Sequence, residues 1–166
     1  MTSIGNKMIS EPISTALNAL VANICAECWP DGFDLSTTDA PNTFKGLKQE
    51  YERRGRITVF SGNSDNSIFA DVTINQMARA WHDWAHIQAN ADFSLRGEEL
   101  ACDLQCTQIS SRFNATEAEG LIRILRADVI GQAQYYEKHR KYVRRQKDFV
   151  VEYLTDPMAA IESNFD

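Results

Sequence analysis

Between Ile74 and Asn90 apolar residues return every three or four positions, and two histidines ride on the same stretch. Ile74, Met77, Ala78, Trp81, Trp84 and Ala85 share one face at about 100° per residue, which predicts an amphipathic helix with Thr73 as its cap. His82 and His86 then stand one turn apart beside the apolar stripe, at the rim of whatever covers it. Asp83 is expected to point further outward. A helix that buries two tryptophans needs partners, and the rest of the chain has to supply their faces.

Leu17, Leu20, Val21, Ile24 and Cys28 keep helical spacing from Ile13 to Trp29, with Pro12 suited to a first turn. Pro30-Asp31-Gly32 breaks that helix, and the Asp/Thr/Pro-rich run to Asn42 reads as a loop. Further helices are expected over Phe44–Arg53, ending at Gly55, and from Glu98 to Phe113 after Gly97. A last helical stretch follows Asn114 and runs toward Tyr153, with breaks near Gly131 or Arg140. Arg56–Phe60 and Ser67–Val72 are β-branched and aromatic, and Ser61–Asn66 between them is turn material. An antiparallel β-hairpin packed on the helices is expected there. The fold class expected is α+β, mostly α-helical, as a single domain over 1–166 with loose termini at 1–10 and 157–166.

The charge balance narrows the partners. A formal net charge of −6 gives no whole-molecule attraction to nucleic acid or an anionic membrane. No apolar run reaches the roughly 18–20 residues of a membrane span, and the polar start has no signal-peptide core. A cytoplasmic setting is the expectation, so the four cysteines read as thiols or metal ligands, not disulfides.

An HxxxH pair on a helix can chelate one metal ion, and only three histidines occur in the chain. The segment Trp81-His82-Asp83-Trp84-Ala85-His86 resembles H-E-x-x-H, the zinc helix of the zincin metallopeptidases. In gluzincins and the compact ImmA/IrrE-type peptidases a short linker leads to a second helix that donates a glutamate. Asp92–Gly97 resembles that linker, and Gly97-Glu98-Glu99-Leu100-Ala101-Cys102-Asp103 resembles the start of that helix. The resemblance implies zinc held by His82, His86 and Glu99, with Glu98 as an alternative ligand and Asp103 orienting a histidine. It also implies a zincin-like fold and a peptide or protein substrate lying along the hairpin edge. The chain departs from the family where glutamate serves as general base: Asp83 is one methylene shorter. The segment also resembles a Trp-His-Asp-Trp-x-His stretch of uncharacterised phage-encoded proteins, a resemblance that implies a source and no mechanism. The His-Asp doublet is not that of HD-domain phosphohydrolases, because no histidine precedes His82.

Cys25-Ala26-Glu27-Cys28 and the Cys102/Cys106 pair offer an alternative, four-sulfur zinc site, although both pairs fall within expected helices. His139 continues the stripe Ile122, Leu125, Val129, Ala133, Tyr136. It is either a satisfied core histidine or a further group at the metal site. Arg140, Lys141, Arg144, Arg145 and Lys147 form a basic cluster that reads as a solvated face. Three functions follow: a small metal-dependent hydrolase, most plausibly a peptidase; a catalytically inactive zincin-like binding or inhibitory protein; or a helical interaction module with zinc on the cysteines.

Overall fold

The computed structural model describes residues 11–165, and the expected loose start at 1–10 lies outside them. Helix α1 (Thr15–Cys28) is followed by a short strand β1 (Asp34–Ser36), helix α2 (Phe44–Arg54) and strand β2 (Thr58–Phe60). Helices α3 (Val72–Ala89), α4 (Leu95–Ser110) and α5 (Ala115–Arg126) come next. A π-turn over Ala127–Gly131 then leads into α6 (Gln132–His139), α7 (Gln146–Thr155) and α8 (Pro157–Glu162).

α3 is the central element, packed between α1 and α4. Trp81 on α3 is fully buried, among Leu17, Val21 and Ile24 of α1 and Cys102 and Ile109 of α4. A second, smaller core lies under the strands, where Leu47, Ile57, Val59 and Ala80 meet Trp29. The Trp29 indole N–H donates to the Ala80 carbonyl at 2.8 Å, pinning the end of α1 to the middle of α3. Fixed in this way on both sides, α3 is a rigid base for the side chains on its remaining face.

The sheet differs from expectation. β2 pairs with β1 in parallel, Leu35 opposite Val59, and no strand forms over Ser67–Val72. The antiparallel hairpin and a zincin fold are therefore both overturned. Two causes are visible. Asp34 pairs with Arg54 and Arg56, and Glu50 accepts from the Thr58 amide and hydroxyl at 2.9 and 2.7 Å, so β2 is tied to the loop and helix before it. Asp71 caps α3 through the Ile74 amide at 2.9 Å, displacing Thr73 from that role and starting the helix where a strand was expected.

The C-terminal stretch breaks near Gly131 and at Arg140, where the sequence reading expects breaks. The π-turn and the left-handed Arg140 (φ 54°) divide it into α5, α6 and α7. The tail beyond Pro157 is not loose as far as 165. Asp156 caps α8, Ala160 is buried, and Phe165 packs on Tyr135 and Phe149. Among the described residues no helix is long and apolar enough to cross a membrane.

Candidate metal centre

α3 ends at Asn90, whose left-handed backbone (φ 48°) reverses the chain. Ser94 caps α4 through the Gly97 amide at 3.1 Å. Gly97 lies so close to the preceding loop that a Cβ there would sit 1.8 Å from the Asp92 carbonyl oxygen. Glycine thus permits the approach of α4 to the end of α3, and the next residue, Glu98, faces the two histidines.

The Glu98 carboxylate lies 2.8 Å from His82 Nε2 and 3.4 Å from His86 Nε2, and the two Nε2 atoms are 3.0 Å apart. His82 Nδ1 faces Gln105 Oε1 at 2.9 Å, and His86 Nδ1 faces the Ala91 carbonyl at 3.0 Å. The Gln105 Oε1 and the Ala91 carbonyl oxygen only accept, so each Nδ1 carries a proton and each ring turns its Nε2 toward Glu98. This is the outer-shell arrangement that orients metal-binding histidines. Donors around a tetrahedral zinc with bonds of about 2.0–2.1 Å stand roughly 3.3 Å apart, close to the spacing here. The His82, His86 and Glu98 group can hold a metal ion.

Without a cation the same atoms share a proton. Burial pushes the His82 imidazole down, but the Glu98 charge and the hydrogen bonds to Glu98 and Gln105 outweigh it, lifting the pKa to about 9. Burial works on Glu98 in the opposite sense. The His82 charge and bonds to both histidines nevertheless hold its carboxyl well below the usual range. A metal ion at this place competes with that proton.

The three groups line a cleft of about 680 Å³ that runs along α3. Asp83 lines it too, half-buried, and does not point outward as expected. Burial raises its pKa to about 7, against the pull of the His82 charge. Phe93 sets its ring edge-on to His86 at 4.9 Å. Tyr136 and Tyr142 stack at 4.7 Å on another wall.

Several expected site residues are elsewhere. Glu99 turns to Arg96 at 3.1 Å, so Glu98 takes the place given to Glu99. One residue on a helix is a rotation of about 100°, and Glu99 shares its charged stripe with Arg96 and Asp103. Asp103 is exposed and pairs with Arg126, so it orients no histidine. His139 stacks on Tyr135 at 4.3 Å and its Nε2 donates to the Ile161 carbonyl at 2.7 Å, the satisfied alternative. The cysteines do not assemble: among the described residues only His82, His86 and Glu98 form a metal-capable group. Cys25 belongs to the smaller core, whereas Cys102 and Cys106 belong to the main one, and burial raises the Cys25 and Cys28 thiols to about 11. The basic cluster is engaged internally, with Arg140 on Glu137, Arg145 on Asp148 and the Asn164 carbonyl, and Lys147 on the Glu11 carbonyl.

Sequence reading missed Gln105, Asn75 and Asp128. Gln105 had a signal, since it stands two turns after Glu98 on the face that also buries Cys102 and Ile109. Asp128 had none, because it reaches the cleft through a π-turn that periodicity does not report. Compared with known proteins, the chain matches no family model, no curated protein and no solved structure.

Proposed function

We propose that this chain is a small zinc-dependent hydrolase, with peptides as its first substrate class. The observation that carries the reading is the convergence of three lone-pair donors on one wall of an open cleft, with both histidines oriented by acceptors behind them. Three protein ligands leave a fourth position for water or substrate, the pattern of catalytic and not of structural zinc. Zinc bound there supplies Lewis acidity, polarising a carbonyl and acidifying water.

The chain's own groups supply the rest. Asp83, in the same cleft and raised toward neutrality by burial, takes the proton of the attacking water and returns it to the leaving group. Gln105 and the Ala91 carbonyl hold the imidazoles in register. The competing reading is a non-catalytic binding protein, and the short arm of Asp83 favours it.

Zinc-loaded protein assayed on a broad peptide library separates the two. Asp83→Asn is expected to keep zinc and lose turnover, while Asp83→Glu keeps or raises it. No hydrolysis by either the wild type or Asp83→Glu would set the hydrolase reading aside in favour of the binding protein.

A further inference from the structure

Along α3, Asn75, Arg79, His82 and His86 all line the cleft. Asn75 lies seven residues before His82, roughly 10 Å along the helix axis. It is 5% exposed, and its amide Nδ2 has no hydrogen-bond partner. A buried amide donor left unpaired loses its hydrogen bond to water and gains nothing in return unless something accepts from it. The π-turn brings Asp128 into the same cleft. Its only side-chain hydrogen bond is from Gln132 Nε2 at 2.7 Å, and among the described residues it makes no ion pair.

The guanidinium of Arg79 does not change this. Arg79 donates to the carbonyls of Phe60, Gly62 and Asn63 at 2.6–2.9 Å and lies over the Phe60 ring. Its field reaches Asp128 but its donors point elsewhere. Phe69, Ala78, Leu125 and Val129 line the same cleft with apolar surface. A carboxylate without a cation, an amide without an acceptor and apolar walls in one cleft describe a ligand. It has an aliphatic stem, a cationic end and a carbonyl.

We infer that the cleft beyond the histidine cluster is a recognition subsite for a primary ammonium or guanidinium on an aliphatic stem, paired by Asp128, with Asn75 donating to an adjoining carbonyl. The aliphatic part of a lysine or arginine packs on apolar surface while its head seeks charge. The assignment deepens the hydrolase reading and depends on it only for where the scissile bond would lie; the binding itself does not need the metal. The same cation comes from a basic residue in a peptide or from a free alkylamine, and Asn75 discriminates between them because only the peptide carries a carbonyl.

The test is calorimetric titration of the full chain, with and without zinc. The probes are acetyl-Ala-Lys-Ala-amide, its norleucine counterpart and n-butylamine. The lysine peptide is expected to bind at least tenfold more tightly than the norleucine peptide. Asp128→Asn is expected to abolish that ratio without changing zinc affinity. Binding of the peptide above butylamine, reduced by Asn75→Ala, assigns the peptide source; equal binding assigns a free amine, which keeps the pairing with Asp128 and overturns the Asn75 contact. Equal affinity for the lysine and norleucine peptides in the wild type overturns it with no variant needed, as does discrimination that survives in Asp128→Asn. A chain that discriminates lysine but binds no zinc would sink the hydrolase reading alone.

Discussion

Two adjacent glutamates carry different duties, and the difference is one step of helical rotation. Glu98 meets both imidazoles, whereas Glu99 pairs with Arg96 at the surface. Glu98→Gln and His86→Ala are each expected to weaken zinc binding by more than the roughly 10–100-fold typical of outer-shell changes, and Gln105→Ala by about that range. Glu99→Gln is expected to leave zinc affinity unchanged in a competition titration with a chelator. Loss of zinc by the Glu99 variant with retention by the Glu98 variant would reverse the assignment. Asp128 gives a pH signature of its own. Burial raises its folded pKa from 3.8 to about 6, against the hydrogen bond from Gln132 and the fields of His82 and Arg79. The neutral form is the one folding favours, so the stability it contributes is fully present below about pH 4 and lost as pH rises through about 6. Asp128→Asn should therefore be more stable than wild type at pH 7.5, on the order of 2 kcal/mol, and equal to it near pH 4. Urea denaturation at the two pH values reads the difference. Equal stability at both would show that Asp128 is not desolvated.

The elements most legible in the sequence were those with a long apolar period and a clear stop. α1 ends at the Pro30-Asp31-Gly32 breaker and α2 at Gly55, whose φ of 64° needs a residue tolerant of left-handed backbone. α3 was legible from its period, although a cap two residues earlier than expected changed what came before it. β2 was legible within Arg56–Phe60, but its partner strand and the direction of pairing were not. Three-residue strands carry too little alternation to fix a partner, and the parallel pairing of β1 with β2 depends on ion pairs between residues distant in sequence. The π-turn was hidden for a similar reason, since one extra residue per turn leaves composition unchanged. The junction of α3 and α4 sets Glu98, so it is the element-scale test. Gly97→Ala would place a Cβ 1.8 Å from the Asp92 carbonyl. It is expected to cost about 1–3 kcal/mol and to weaken zinc binding as α4 shifts. Gly120→Ala, in α5 with open space around it, should instead stabilise by about 0.5–1 kcal/mol with zinc affinity unchanged. Thermal melts and zinc titrations of the two variants check the opposite signs.

At the scale of the molecule, a mostly helical chain holds α3 between α1 and α4, with a small parallel sheet over a second core. That frame leaves one face of α3 toward a cleft, and on it stand the two histidines that the sequence already marked as a pair. The site was half legible: the HxxxH spacing named two donors, but the third needed the packing of α4. The four cysteines, a zinc set by count alone, do not assemble, with Cys25 in the smaller core and Cys102 and Cys106 in the main one. X-ray absorption at the zinc edge distinguishes these donor sets by bond length. Tag-free protein loaded with one equivalent of zinc is expected to show a first shell of nitrogen and oxygen at about 2.0–2.1 Å, two of the scatterers with imidazole outer shells. A shell of sulfur at about 2.3 Å, or no zinc retained after gel filtration, would contradict a centre built on His82, His86 and Glu98.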